Sequence, residues 1–195
     1  WSANASELLE RAAFYAMFIS ISIYLSRVVG YSDELAGIIG AFFSAGVYFL
    51  PTFVGAYSDK MGFRKAIILA FALQTIAYFI LAALPYKLTV LPAYVLLMIG
   101  GAFIKSLITG TVAKSTTEQN RARGFSIFYL IVNIGAFSGK TFAYPVRIAL
   151  GLKEVMFVSA ILTFIALIAV IIFYKSVDTE GEGKSLKEIW QAFIV

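Results

Sequence analysis

Long apolar runs separated by short polar segments dominate the sequence. A helix needs about 20 mostly apolar residues to cross a bilayer. The pattern predicts six such spans, at about residues 1–26, 35–57, 66–84, 90–113, 124–145 and 154–174. It therefore predicts an all-α integral membrane protein built on a six-helix transmembrane bundle. After the last span, residues 175–195 read as a polar linker and the start of an amphipathic helix.

The first predicted span contains charged residues. Its uncharged part, Ala12–Leu25, has 14 residues, which at about 1.5 Å per residue covers roughly 21 Å of a ~30 Å hydrocarbon core. The helix must therefore begin upstream and include Glu7, Glu10 and Arg11, which share one helical stripe with Tyr15. We expect this stripe to face a cavity or another helix. The alternative is that the three charges lie among lipid headgroups and form a local pair one helical turn apart.

Composition excludes several classes of protein. With 61% hydrophobic and only 14% charged residues, the chain has too little polar surface for a soluble enzyme, a nucleic-acid binder or a disordered tail. It contains no Cys and no His. We therefore expect no metal site and no cofactor, and any proton carrier has to be Asp, Glu, Tyr or Lys.

The distribution of basic residues predicts the orientation. Loops after the second, fourth and sixth spans carry nine Lys or Arg, and loops on the opposite side carry four. The nine are Lys60, Arg64, Lys65, Lys114, Arg121, Arg123, Lys175, Lys184 and Lys187, and the four are Arg27, Lys87, Arg147 and Lys153. Because cytoplasmic loops are enriched in Lys and Arg, both termini are predicted to be cytoplasmic, in a plasma or inner membrane.

Two lysines interrupt otherwise apolar spans, where a charge costs at least ~2.5–3.5 kcal/mol at the helix centre. Lys105 lies about 12 Å from the cytoplasmic end of its span. We expect it to face Glu7 or Glu10 across a helix interface, although a snorkelling lysine is the alternative. Lys140 shares a helix face with Asn133 and is either a cavity-facing cation that attracts an anionic group or a lysine that snorkels to the outer surface.

Two further polar positions in the spans are candidates for a binding site. Asn133 lies in a run of small residues that also suits close helix packing. Pro51 is predicted to kink the second span, and Tyr48 lies one turn before it. For Tyr48, simple packing is the alternative to a ligand contact.

The connection between the second and third spans combines two glycines, an acidic residue and two basic residues: Gly55, Asp59, Gly62, Arg64 and Lys65. A carboxylate at a helix C-terminus is unfavourable unless it is paired. We therefore expect Asp59 to pair with Arg64 or Lys65 around a tight turn at Gly62. The string resembles the signature loop of the major facilitator superfamily, which implies a gating loop at these positions.

Other strings resemble one family of that superfamily, the proton-dependent oligopeptide transporters. The segment 7–11, Glu-Leu-Leu-Glu-Arg, is similar to the Glu-x-x-Glu-Arg motif of the family's first helix, and the segment 125–137 resembles its fifth-helix signature. Lys105 falls where the family has a fourth-helix lysine. The resemblance covers nearly the whole chain and implies the N-terminal half of a twelve-helix major facilitator fold.

The resemblance also implies roles for the matched positions. Glu7, Glu10 and Arg11 are expected in proton coupling, with Lys105 as their salt-bridge partner. The residues expected to line the peptide site are Tyr15, Tyr48, Lys105 and Asn133. The chain departs from the family pattern in having Phe18 in place of an arginine, Ser106 in place of a proline, and one residue fewer between Asp59 and Gly62. Lys140 is a candidate to replace the missing arginine.

The implied function is a proton-coupled symporter of small peptides or peptide-like solutes that works by alternating access, and not an enzyme. One alternative is a major facilitator transporter of an organic anion or drug. Another is a membrane sensor or scaffold that kept the fold and lost transport. Because a lone bundle is expected to expose the charged stripe to lipid, we expect a second six-helix bundle, either the C-terminal half of a longer chain or a second copy.

Overall fold

The computed structural model describes residues 2–175, apart from the side chains at positions 55–57, 59 and 60. These residues form seven helices: α1 Ser2–Arg27, α2 Asp33–Phe49, α3 Pro51–Met61, α4 Phe63–Ala83, α5 Lys87–Lys114, α6 Arg121–Ala149 and α7 Leu152–Phe173. Six helical stretches are long and apolar enough to cross a membrane, with α2 continuing into α3 as one of them. The predicted fold class is confirmed. The predicted linker and amphipathic start at 176–195 lie outside the described residues.

The second span is divided where proline interrupts its backbone. The helix α2 ends at Phe49 and α3 begins at Pro51, which occupies the first turn of α3. Proline has no N–H to continue the hydrogen-bond ladder but is well tolerated at a helix start. The Ser106 hydroxyl on α5 donates to the Pro51 carbonyl oxygen at 3.1 Å. The boundary between the two helices therefore falls at the proline predicted to kink this span, and a side chain from α5 hydrogen-bonds to its carbonyl oxygen.

Small residues on α6 bring this helix close to α1. A Cβ added at Gly135 would lie 2.7 Å from the Leu8 carbonyl oxygen, and one added at Gly139 would overlap the backbone of Ala12. One turn further on, Ala143 is buried with Ala16. Successive turns of α6 thus meet successive turns of α1, so the two helices run parallel. The hydrophobic effect does not drive helices together within lipid, so their association depends on close packing. Small residues allow that packing because they let the two backbones approach closely.

Two apolar clusters divide the interior along the bundle. One contains Met17, Phe43 and Tyr78, and the other contains Ile67 and Ile104. The segments between them are residues 7–10 of α1, the middle of α4 at position 74, and the paired glycines 100–101 of α5. The polar interior of the bundle lies in this zone.

The outer surface differs from helix to helix. Beyond the first turns of α4 and α7, which carry Arg64, Lys65 and Lys153, the exposed large side chains of these helices are apolar, as at Ile76, Phe79 and Ile165. Such surfaces suit a lipid environment. The helices α2, α5 and α6, each of which contacts α1, also expose polar and aromatic side chains. We use the name polar face for the surface that carries Tyr48, Lys105, Asn133 and Lys140.

Candidate functional site

One arginine and two glutamates form an ion-pair cluster inside the bundle, which we call the acid–base cluster. Arg11 Nε lies 3.1 Å from Glu7 Oε1, and Arg11 Nη2 lies 2.5 Å from Glu10 Oε2. The Glu7 and Glu10 side chains are 4% and 0% exposed. With both carboxylates ionised the cluster carries one negative charge in excess, and one added proton makes it neutral. A buried cluster of this composition is suited to take up and release a single proton.

The burial of this cluster corrects one expectation. A lone bundle was expected to expose the charged stripe of α1 to lipid, and this is wrong. Glu7 and Glu10 point into the bundle, where they lie between the two apolar clusters. The local pair between Glu7 and Arg11 forms, but it forms in the interior and not at an exposed surface.

Gln74 on α4 completes the cluster, and the sequence reasoning missed it. Its Nε2 donates to Glu10 Oε1 at 2.9 Å, and the residue is 1% exposed. A signal was available in the sequence. Gln74 is the amide side chain near the centre of a span without charges, on the helical face that carries Ala70, Ala77 and Tyr78.

Lys105 does not form the salt bridge expected for it. Within residues 2–175, no ion pair joins Lys105 to Glu7 or Glu10. Its Nζ lies 4.8 Å from the ring centroid of Tyr48, so cation–π attraction holds it on the polar face. Both carboxylates pair with Arg11 instead, because Arg11 is on the same helix and already within reach. Lys105 is close enough for its charge to act on Glu7 without contact.

A second cation–aromatic pair joins α6 to α1. Lys140 Nζ lies 4.9 Å from the ring centroid of Tyr15. Asn133, seven residues earlier on α6, is exposed, and its Nδ2 donates to the Tyr129 carbonyl oxygen of the same helix at 2.8 Å. The structure therefore pairs Lys105 with Tyr48 and Lys140 with Tyr15, and it leaves Asn133 exposed on α6.

An apolar groove of about 660 Å³ adjoins the Tyr48 side of this face. Phe42, Gly46, Phe49 and Met98 line it together with Tyr48. The groove offers an apolar wall next to the cation of Lys105. No group of three His, Cys, Asp or Glu side chains in the described part of the chain is arranged to hold a metal ion.

Most of the predicted gating loop is helical. Gly55 and Asp59 lie in α3, Arg64 and Lys65 lie in α4, and Gly62 is the one residue between the two helices. Gly62 has φ +85°, a left-handed conformation that favours glycine, and it ends α3 and precedes α4. Arg64 Nη2 donates to the Ile171 carbonyl oxygen at 3.1 Å, in the last turn of α7, where carbonyl groups lack helical partners. Lys65 is exposed. The side chain of Asp59 lies outside the described part of the structure, so its pairing with Arg64 or Lys65 stays a prediction.

The sequence is similar to known transporters over most of its length. Residues 5–194 match the Major Facilitator Superfamily. Peptide transporter family 1 of Drosophila melanogaster is 24% identical over 187 residues, which cover 83% of this chain and 25% of that protein. Dipeptide and tripeptide permease B of Xenorhabdus bovienii is 29% identical over 135 residues, which cover 67% of this chain and 28% of that protein.

A relative of another kind is Multidrug resistance protein MdtH of Blochmanniella floridana. It is 28% identical over 156 residues, which cover 78% of this chain and 38% of that protein. The chain thus spans between 25% and 38% of the length of these three relatives.

Solved structures share the fold. The crystal structure of peptide transporter POT in complex with sulfate has a TM-score of 0.84 at 19% identity, covering 99% of this chain and 42% of that one. The human organic anion transporter MFSD10 (TETRAN) has a TM-score of 0.76 at 18% identity, covering 95% and 49%. With a bundle of six membrane-spanning helices and a family match over residues 5–194, this chain belongs to the major facilitator superfamily.

Proposed function

We propose that this chain is the N-terminal bundle of a proton-coupled symporter of small peptides or peptide-like solutes. The observation that carries the proposal is the acid–base cluster, in which two buried carboxylates share one guanidinium. The similarity to peptide transporters supports the substrate class, since relatives named for peptides match the chain over 83% and 67% of its length.

In this mechanism the proton and the substrate act on neighbouring groups. A proton taken up by Glu7 or Glu10 removes the excess negative charge of the cluster and weakens one of its ion pairs with Arg11. A substrate carboxylate draws Lys105 or Lys140 away from its tyrosine ring, because an anion attracts a cation more strongly than a ring face does. Proton uptake changes the ion pairs of α1, and displacement of Lys140 changes its contact with Tyr15 on the same helix. Alternating access follows if α1 moves relative to a second bundle.

The second bundle is part of the proposal, as the C-terminal half of a longer chain or a second copy. The polar face supports it, because Lys105, Asn133 and Lys140 are exposed and ionisable or amide side chains are costly against lipid. The proposed orientation has the N-terminus of α1 and the C-terminus of α7 in the cytoplasm. Arg64, Lys65 and seven further Lys or Arg of the basic side support this orientation.

The proposal predicts separate effects of proton-site and substrate-site variants in the full-length protein. In proteoliposomes with an inward proton gradient, Glu10→Gln should abolish uphill peptide accumulation and leave peptide exchange at equal concentrations, since exchange needs no net proton movement. Lys105→Ala should raise the KM about tenfold, the loss of one charge-assisted contact.

Lys153→Ala is the matched control, because Lys153 is an exposed lysine at the start of α7, away from the polar face. It should behave as the wild type. Undiminished proton-driven accumulation in both Glu10→Gln and Lys105→Ala would contradict the proposed mechanism.

A second candidate is a major facilitator transporter of an organic anion or drug. The similarity to a multidrug resistance protein and the fold shared with an organic anion transporter favour it. Competition separates the two candidates. Dipeptides and tripeptides should inhibit uptake in the first case and have no effect in the second. Uptake that never exceeds the passive leak would instead indicate a sensor or scaffold.

A further inference from the structure

Gln74 is the member of the acid–base cluster that comes from a different helix. It lies halfway along α4, is 1% exposed, and donates to Glu10 Oε1 at 2.9 Å. A buried amide is costly unless it is hydrogen-bonded. An apolar residue at this position would avoid the cost of burying the amide, so the presence of glutamine calls for a role.

Two glycines of α5 lie against the Gln74 side chain. A Cβ added at Gly100 would lie 2.9 Å from Gln74 Cγ and 2.9 Å from the Ala70 carbonyl oxygen, and one added at Gly101 would lie 3.4 Å from Gln74 Nε2. A larger residue at either position would therefore crowd the glutamine, and the two glycines leave it room beside Glu10.

The two protonation states of Glu10 need different partners. As a carboxylate, Glu10 lies 2.5 Å from Arg11 and accepts from the Gln74 N–H. As a protonated acid, it has an O–H to donate. Arg11 has no acceptor atom, whereas an amide has both a donor and an acceptor. Gln74 Oε1 is buried and finds no hydrogen-bond partner within the described part of the chain.

We propose that Gln74 is a positioning residue for Glu10 that offers its amide N–H to the carboxylate and, after rotating the amide, its oxygen to the protonated acid. The proton passes between water and the Glu10 oxygen, and Gln74 neither gains nor loses one. This inference rests on the proposed function, in which Glu10 or Glu7 carries the coupling proton.

The other ionisable groups near Glu10 are the same residues in the wild type and in the Gln74 variants. They are Glu7, Arg11 and Tyr15 on α1, Tyr78 on α4, Lys105 on α5 near Glu7, and Lys140 on α6 at Tyr15. From α7 the neighbouring polar groups are hydroxyls, with Ser159 donating to the Ala13 carbonyl oxygen at 3.1 Å. A change in the titration of Glu10 on substitution of Gln74 therefore reports on the amide.

The test measures protonation of Glu10 directly in the reconstituted full-length protein. Infrared difference spectra taken across a pH series follow the carbonyl band of protonated Glu10, which is assigned by its loss in Glu10→Gln. Gln74→Met keeps the length of the side chain and removes both the amide donor and the amide acceptor. The protonation midpoint should rise by about one pH unit, because a bond to a charged group is stronger than one to a neutral group.

Gln74→Glu is nearly isosteric and replaces the amide beside Glu10 with a second carboxyl group. Two adjacent carboxyl groups hold one proton more tightly, so the midpoint should rise further than in Gln74→Met. Thr75→Val is the matched control. Thr75 is the next residue on α4, and its hydroxyl bonds to the Phe71 carbonyl oxygen and to Thr163, away from Glu10. The control should leave the midpoint unchanged.

A midpoint in Gln74→Met and Gln74→Glu equal to that of the wild type overturns the inference, even if the amount of folded protein falls. If Gln74→Met does not fold, an unchanged midpoint in the nearly isosteric Gln74→Glu overturns the inference, because its carboxyl group would then not lie against Glu10. The outcome for the proposed function is separate. A wild type that shows the Glu10 titration but no proton-driven uptake would reject the transport proposal and leave the positioning role of Gln74 standing.

Discussion

At the scale of residues, the central feature is a buried arginine that forms ion pairs with two glutamates. Arg11 pairs with Glu7 one turn before it and with its neighbour Glu10. A sequence motif can indicate such a set, because the spacing within one helix fixes which side chains meet. For Gln74 the sequence shows a polar residue in an apolar span but does not identify its partner, because Gln74 reaches Glu10 from another helix.

Replacing Arg11 should destabilise the protein strongly. Arg11→Met leaves two buried carboxylates without a cation, and breaking a buried pair costs about 3–5 kcal/mol. Thermal unfolding in detergent should show the loss, and adding Glu7→Gln to Arg11→Met should recover part of it. The exposed Arg27→Met on the same helix should change stability by less than about 0.5 kcal/mol. Equal melting of Arg11→Met and Arg27→Met would contradict the ion-pair geometry.

At the scale of helices, the parallel contact of α1 and α6 sets the positions of both the acid–base cluster and Lys140. Gly135 meets α1 at Leu8 and Arg11, and Gly139 meets it at Ala12. These contacts fix the register that brings Lys140 over Tyr15. The run of small residues around Asn133 indicated close packing, but the sequence did not say which helix would be the partner.

A single methyl group tests this contact. Gly139→Ala adds a Cβ that overlaps the Ala12 backbone, so the two helices must separate. We expect this overpacking to lower the free energy of unfolding by at least about 1–3 kcal/mol. Gly37→Ala is the control, since nothing lies within 4 Å of its added Cβ, and it should be neutral or slightly stabilising because alanine favours helix. Melting curves of the two variants measure the difference. A Gly139→Ala protein as stable as Gly37→Ala would argue against the close contact.

At the scale of the whole molecule, the bundle presents two kinds of surface. Beyond their first turns, α4 and α7 expose large apolar side chains, and the polar face brings two lysines and an asparagine to the surface. A bilayer suits the first surface and not the second. The polar face is therefore where we propose that substrate, water and a second bundle meet this one.

Thiol labelling distinguishes the two surfaces. The chain has no Cys, so single cysteines can be introduced once any others in the full-length protein are replaced. In membranes, Asn133→Cys should react with a water-soluble maleimide, and a dipeptide should slow the reaction. Ile165→Cys on α7, where the native side chain is 46% exposed, should stay unlabelled because lipid covers it. Labelling of Ile165→Cys as fast as Asn133→Cys would contradict the assignment of the two surfaces.

The amino-acid sequence is enough to predict the six spans, the interruption at Pro51 and the shared stripe of Glu7, Glu10 and Arg11. Hydropathy, proline geometry and helical periodicity are local properties, so each can be recognised within one segment. The packing of the helices against one another was needed to show that the stripe points inward, that Gln74 completes it, and that Lys105 lies over Tyr48 and not against a glutamate. Contacts between helices depend on their register and close approach, which no single segment specifies.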